Sequence, residues 1–387
     1  MVQRSASQGG RARAVRAAAL AAVGATGLAS CSSGGPSPGA STSSTAMPAR
    51  STTTSPPPAS TTTTVAVPGP SGALSAATPI ALPALSRVVA TEGPDGAVFV
   101  APEAPGAPGP SVVYVVDGSS PVQVAEHVGA GVAALAADAS NLYVADYAHV
   151  TAFSRSSGTE VAQWSLPPLS AADASNDDLV AMTATAGRVF VRVTQGDAVS
   201  VYSIEPSSSA GPRELVSGLG AAVGPDGAVY YERSDDHLVK LSTSGVSTVG
   251  PALADAPNGL GGGVQYVSTV AGGLVWVSEP AGQGLDARYT EYDTSTLQAV
   301  GTYDGTTAQQ FADAGTAGAL VLSGPNGPGS CPQPAAPAYA SCVYRITAAQ
   351  TLVDQVVVGE ALLLVGPDPA VVAQNPTTSA TELLRIS

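Results

Sequence analysis

The chain has 387 residues, of which 44% are hydrophobic, only 11% charged and 5% aromatic. Glycine (43) and proline (32) together are too frequent for a helical bundle and too aperiodic for collagen. The net charge of −14, with Lys240 as the only lysine, excludes nucleic acid as a partner, because that binding needs clustered Lys and Arg to displace counterions.

Arg4, Arg11, Arg13 and Arg16 lead into Ala17–Ser30, a run without a charge. It is shorter than the roughly 20 apolar residues of a membrane-spanning helix. A basic start and a short apolar stretch predict a secretory signal over residues 1–30. The run ends Leu28-Ala29-Ser30-Cys31, followed by Ser32-Ser33-Gly34-Gly35. This resembles the lipobox of bacterial lipoproteins, and the resemblance implies that Cys31 becomes the acylated N-terminus of the mature protein. The alternative is an ordinary signal peptide with an incidental cysteine. No Arg-Arg pair is present, which favours the general secretion route. Two acyl chains hold a protein stably where one is marginal. The mature charge of −18 leaves no polybasic patch to assist. The expected location is therefore the outer face of the bacterial cytoplasmic membrane, or cell surface, held by lipid.

Residues 31–78 follow as a tether. Of the 40 residues from Cys31 to Pro70, 35 are Ser, Thr, Pro, Gly or Ala, and the only charge is Arg50. Such a segment has too few bulky apolar groups to offset its ordering entropy, so disorder is expected. At about 3.1 Å per residue a Pro-rich extended chain of this length reaches roughly 120 Å. Runs such as Ser51–Pro58 resemble O-glycosylated stalks, and a plain spacer is the other reading. Gly35-Pro36-Ser37-Pro38-Gly39 matches the nucleophile pattern of hydrolases formally, but lacks the strand and helix that such an elbow joins.

Residues 79–387 repeat. Gly93-Pro94-Asp95-Gly96-Ala97-Val98-Phe99-Val100 returns as Gly224-Pro225-Asp226-Gly227-Ala228-Val229-Tyr230-Tyr231, and in a worn form at Gly366-Pro367-Asp368-Pro369-Ala370-Val371. Between them lie four related strands, Leu142-Tyr143-Val144, Val189-Phe190-Val191, Val275-Trp276-Val277 and Leu320-Val321-Leu322. The seven centres, at 99, 143, 190, 230, 276, 321 and 372, are 40 to 51 residues apart. A unit of that length made of several short strands predicts an all-β, seven-bladed β-propeller with one four-stranded sheet per blade.

Within the second unit, Val132–Ala136, Leu142–Asp146, His149–Ser154 and Glu160–Ser165 read as strands. In the fourth, Ala221–Val223, Ala228–Glu232, Leu238–Ser242 and Val246–Val249 do so. No twelve-residue window after the signal carries a helical stripe. Only Glu382–Ile386 remains after the last centre, so the seventh blade is one strand short. Pro79–Ala84 is expected to supply it as an edge strand, where proline is tolerated. The last blade is thus closed by strands from both termini.

Asn141-Leu142-Tyr143-Val144-Ala145-Asp146 is similar to the strand of NHL-repeat propellers. Ser156-Ser157-Gly158-Thr159-Glu160-Val161-Ala162-Gln163-Trp164 resembles the turn and outer strand of PQQ-like blades, and Tyr292-Asp293-Thr294-Ser295-Thr296-Leu297 the turn of YncE-like propellers. These resemblances imply the fold over residues 79–387 and not an activity.

Cys331 and Cys342 bracket a Gly/Pro-rich insertion of the sixth unit. Outside the cytoplasm two cysteines flanking one loop read as a disulfide, worth about 3 kcal/mol in the chain-entropy model. A metal site is the competitor, but no histidine lies near in sequence. His127, His149 and His237 are the only histidines and form no metalloprotease motif. Asn176-Asp177-Asp178 and Ser234-Asp235-Asp236-His237 could gather a cation, but read more simply as solvated turns.

In propellers the second strand of each blade runs toward the ligand-binding face. Three residues beyond the strand centres come Asp146, Arg233, Glu279 and Asn375, which are expected to converge on one rim. Gluconolactonase-like propellers bind a divalent cation there, and the resemblance, one of composition alone, implies Asp146 and Glu279 as ligands. Two functions follow. The first is a lipid-anchored binding or scaffolding module, monomeric and without cofactor, for a surface protein, glycan or cell-wall ligand. The second is an extracytoplasmic metal-dependent hydrolase of lactonase type. A quinone-bearing redox propeller fits less well, because tryptophans and basic residues are sparse.

Overall fold

The structure is a computed structural model. It describes residues 78–83, 88–103, 109–118, 120–129, 131–167, 180–195, 198–218, 220–253, 266–280, 286–306, 310–313, 319–323, 341–346, 352–358, 360–365, 370–375 and 380–386. The signal, the lipobox cysteine Cys31, the tether to residue 77 and Cys331 lie outside them. Among the described residues there is no helix, so none could cross a membrane as a long apolar helix.

Every strand enters an antiparallel four-stranded sheet. The first strand, β1 (Ile80–Ala81), joins its sheet last. Blade 1 holds β2 (Val88–Glu92), β3 (Val98–Pro102), β4 (Gly109–Val116) and β5 (Pro121–Gly129). Blade 2 holds β6 (Ala134–Ala137), β7 (Asn141–Ala145), β8 (His149–Ser154) and β9 (Glu160–Ser165). Blade 3 holds β10 (Val180–Thr185), β11 (Arg188–Gln195), β12 (Ala198–Ile204) and β13 (Arg213–Gly218). Blade 4 holds β14 (Ala221–Val223), β15 (Val229–Glu232), β16 (His237–Leu241) and β17 (Ser247–Ala252). Blade 5 holds β18 (Tyr266–Ala271), β19 (Leu274–Pro280), β20 (Asp286–Asp293) and β21 (Ala299–Thr306). Blade 6 holds β22 (Gln310–Asp313), β23 (Ala319–Ser323), β24 (Ser341–Ile346) and β25 (Leu352–Val358). Blade 7 runs β26 (Glu360–Val365), β27 (Ala370–Gln374), β28 (Thr381–Arg385) and then β1.

Each of the seven repeat centres falls on the second strand of its sheet, from Phe99 on β3 to Val372 on β27. The first strands meet around a circle: β2 with β6, β6 with β10, β14 with β18, β18 with β22, β22 with β26 and β26 with β2. Blade 3 reaches β14 through β11 and β12. The arrangement is that of a β-propeller, and its seven sheets fit the seven expected blades. The stitched blade fits as well, with Ile80 opposite Leu383 and Ala81 opposite Glu382. Among the described residues the strand itself is Ile80–Ala81, flanked by Pro79 and Pro83, which offer no N–H to extend the ladder, and Ala84 lies outside them.

Alternation explains the core. Along each second strand successive side chains enter opposite seams between blades. Phe99, Leu142 and Val144 meet Phe153 in the seam of blades 1 and 2, whereas Tyr143 and Ala145 turn to Val189 and Val191 of blade 3. Tyr143, Tyr230 and Trp276 are fully buried, each contributing about 2–3 kcal/mol of transfer free energy. The repeated Gly-Pro-Asp-Gly turns are built alike. Gly96 N–H donates to the Gly93 carbonyl and Gly227 N–H to that of Gly224, with φ of 78° and 76° at the second glycines. Only glycine takes that conformation without strain. The third, worn copy of this turn lies outside the described residues.

Candidate functional site: the mouth of the ring

Asp146, Arg233 and Asn375 directly follow β7, β15 and β27, and Glu279 is the penultimate residue of β19. All four therefore stand at the same end of their second strands, on one face of the ring. What each side chain does there is local.

Asp146 caps the turn from β7 to β8. Its Oδ1 accepts the N–H groups of Ala148 (2.7 Å) and His149 (2.6 Å). Its Oδ2 faces Nε2 of His127 at 3.4 Å, a contact long for a hydrogen bond, and His149 Nδ1 lies 3.6 Å from Oδ1. His127 comes from β5 of blade 1, is buried, and sets its ring edge-on to Phe153 of blade 2. Burial pushes the Asp146 carboxyl up, but His127 and the two amides outweigh it and hold it at about 2. Asp146 is thus a buried anion joining two blades.

Arg233 turns back onto its own hairpin. Its Nε and Nη2 donate to the two carboxylate oxygens of Asp235, each at 2.6 Å. That pairing brings Asp235 down to about 2, although both side chains are largely exposed. His237 Nδ1 lies 2.8 Å from the carbonyl of Asp235. A carbonyl only accepts, so Nδ1 carries the proton in that bond. Asn375 donates from Nδ2 to Oε1 of Glu382 on β28, 2.9 Å away. Glu279 is in register with Arg288 on β20; its side chain lies outside the described residues. No described contact joins any two of the four. They share a face, and each rim group whose side chain is described is held within its blade or the adjoining seam.

Sequence reasoning missed the residues just inside this rim. Glu232 precedes Arg233, is 4% exposed and leaves Oε2 without a partner. Burial and then the charge of Asp236 push its carboxyl up to about 7. The signal was available: Glu232 is two residues beyond Tyr230, and period-2 alternation puts it in the same seam. His127 could not be found this way, because its role depends on a blade-to-blade contact.

The opposite end of the strands carries basic clasps. Arg155 donates Nη2 to Asp95 Oδ2 (2.6 Å) and Nη1 to the Asp138 carbonyl (2.8 Å), with its guanidinium 4.9 Å from the Phe99 ring centroid. Lys240 repeats the theme, 3.4 Å from Asp226 and 5.2 Å from the ring centroid of Tyr230, while donating to the Thr294 carbonyl of blade 5. Arg385 reaches the Gly96 carbonyl across the seam of blades 7 and 1. These groups fasten the ring at the end of the strands opposite the mouth.

Among the described residues no three His, Cys, Asp or Glu side chains are grouped so as to hold a metal ion. A cation at Asp146 would have to displace contacts that both oxygens already make. Cys342 lies on β24, in register with Ser323. Its pairing with Cys331 falls outside the described residues.

An all-β propeller is the class that these sheets define, and one solved WD40 structure agrees with it in fold. The chain is similar to the WD40 domain of Toxoplasma gondii coronin at 12% identity and a TM-score of 0.51, over 81% of this chain and 85% of that one. It is also similar to the β-propeller domain of Myceliophteria thermophila Cps50 (Swd1), with 10% identity, a TM-score of 0.49, and 81% and 100% of the two chains covered. A further match is the periplasmic gluconolactonase PpgL of Pseudomonas aeruginosa, at 16% identity and a TM-score of 0.45, over 70% and 85%. At these identities the likeness concerns the fold alone. No protein-family model and no curated protein matches the sequence.

Proposed function

We propose that this propeller is a lipid-anchored module of the bacterial cell surface that binds or scaffolds an extracytoplasmic partner through the mouth of its ring. The supporting observation is how the rim residues are used. Asp146 is fixed by two amides, Arg233 by Asp235 and Asn375 by Glu382, each within its own blade. Hairpin tips held by their own side chains form a pre-organised polar surface, which lowers the entropy cost of recognition. The lipobox-like Leu28-Ala29-Ser30-Cys31 and the tether supply the means of display.

The full chain, produced in a bacterial host fed labelled palmitate, is expected to take up label and to sediment with membranes. Cys31→Ala abolishes both, and unchanged labelling in that variant overturns the anchor. Purified cell-wall polymer is the first ligand to try. Alanine at Arg233 and Asn375 together should weaken its capture at unchanged melting temperature; undiminished capture overturns the mouth as the recognition face. The hydrolase reading, with a divalent cation on Asp146 and Glu279, predicts a saturable rise in melting temperature with Ca²⁺, Mg²⁺, Mn²⁺ or Zn²⁺. At 100 times its Kd an ion would add about 2.7 kcal/mol, and Glu279→Gln would remove the effect.

A further inference from the structure

Glu291 lies on β20 in the third rank of blade 5 and is wholly buried, at 0% exposure. Neither of its carboxyl oxygens has a hydrogen-bond partner. Its register neighbours are Trp276 on β19 and Gly301 on β21, so an indole stands on one side and no side chain on the other. Val275, Val277 and Tyr292 of the same sheet pack against blade 4. By alternation Glu291 and Trp276 point the other way, into the seam with blade 6.

An ionised carboxylate in such a place would have neither water nor a donor to solvate it, whereas a neutral carboxyl costs far less to bury. Among the described residues no donor or cation faces it. On its own strand that side carries Tyr289 and Asp293, and Oδ1 of Asp293 is taken up by its own turn, by Ser295 and Thr296. β19 brings Trp276 and Ser278, β18 Thr269, and β21 Gly301 with Tyr303 opposite Tyr289. On blade 6 the same side carries buried Ala319 and Val321, and by register the positions Asp313, Cys342 and Tyr344. Burial pushes the Glu291 carboxyl up to about 7.

We propose that Glu291 is a proton-operated lock on the seam between blades 5 and 6, closed when its carboxyl is neutral and loosened when it ionises. The ring then tightens in acid and relaxes toward alkaline conditions at this one seam. β19, which lies beside Glu291 in this seam, also carries Glu279 at the mouth.

Trp276 is a built-in reporter, and Trp164 is the only other tryptophan. In a Trp164→Phe background, emission from Trp276 is expected to titrate with a midpoint near neutrality. The titration should vanish in Glu291→Gln and persist in Glu232→Gln. A flat profile between acid and alkaline pH, or a titration surviving Glu291→Gln, overturns the lock. Should Glu291→Gln not fold, hydrogen exchange of the natural chain decides. After correction for intrinsic rates, β18 to β21 should lose protection at alkaline pH relative to β6 to β9, and equal loss in both blades refutes the proposal.

Discussion

Replacing Asp146 tests whether this rim residue serves the fold or a ligand. The difference between an ordinary aspartate at 3.8 and about 2 in the folded chain is worth about 2 kcal/mol, at roughly 1.4 kcal/mol per pH unit. Asp146→Asn keeps an acceptor for the amides of Ala148 and His149 but loses the charge beside His127, and should cost about 2 kcal/mol at neutral pH. Asp146→Ala also strips both amides of their acceptor; they can reach water at the turn, so the added cost is about 1 kcal/mol. Because the folded-state value is depressed, this stability is present above the ordinary 3.8 and is lost as pH falls through about 2. Urea unfolding of the natural chain and the two variants, near neutrality and again in strong acid, measures both statements. An Asn variant within about 0.5 kcal/mol of the natural chain near neutrality would refute the argument, as would a cost that does not shrink in acid.

Glu232→Gln should leave stability unchanged in acid and raise it at alkaline pH by up to about 3 kcal/mol, as read from urea midpoints. The folded value of about 7 lies above the ordinary 4.5, so the stability tied to its proton is complete below 4.5 and gone above 7. Arg155→Ala removes a charged hydrogen bond to a carbonyl, a stacking contact and a pair with a half-exposed Asp95, together about 2 kcal/mol, whereas Asp95→Ala should cost under about 1. Gly158→Ala should lower the melting temperature sharply, by about 2 kcal/mol or more in stability. The new Cβ would collide with the Val124 carbonyl of blade 1, at a residue whose φ is +69°.

The ring was legible because its information is periodic. A short apolar strand every 40 to 51 residues, with an aromatic centre in five of the seven units, marks the second strand of each blade, and strands such as His149–Ser154 and Glu160–Ser165 fall where turn chemistry puts them. Boundaries moved by one to three residues: β17 runs on to Ala252, because a ladder with β16 carries it beyond the last valine. The placement of Asp146, Arg233, Glu279 and Asn375 at one end of the blades also followed from counting. What each rim group holds did not. The Asp146–His127 contact joins residues of different blades, and Glu291 is defined by neighbours on three strands. Periodicity fixes which seam a side chain enters, whereas its partners depend on how two sheets of different sequence face each other.

The seventh blade has a mechanical meaning. Any tension carried along the chain from residues before 78 enters the ring at β1, whose hold consists of two register pairs with β28 and the bond from Leu82 N–H to the Thr381 carbonyl. The other six blades are each one uninterrupted piece of chain, and the load passes along the chain to β2 of blade 1 only after β1 has given way. A pull on the leading segment should therefore peel this outermost ribbon first, at a force well below that needed to open the circle. Release of β1 would lengthen the leading segment by a few residues and leave the six other sheets intact, a small extensible link placed where the chain enters the ring.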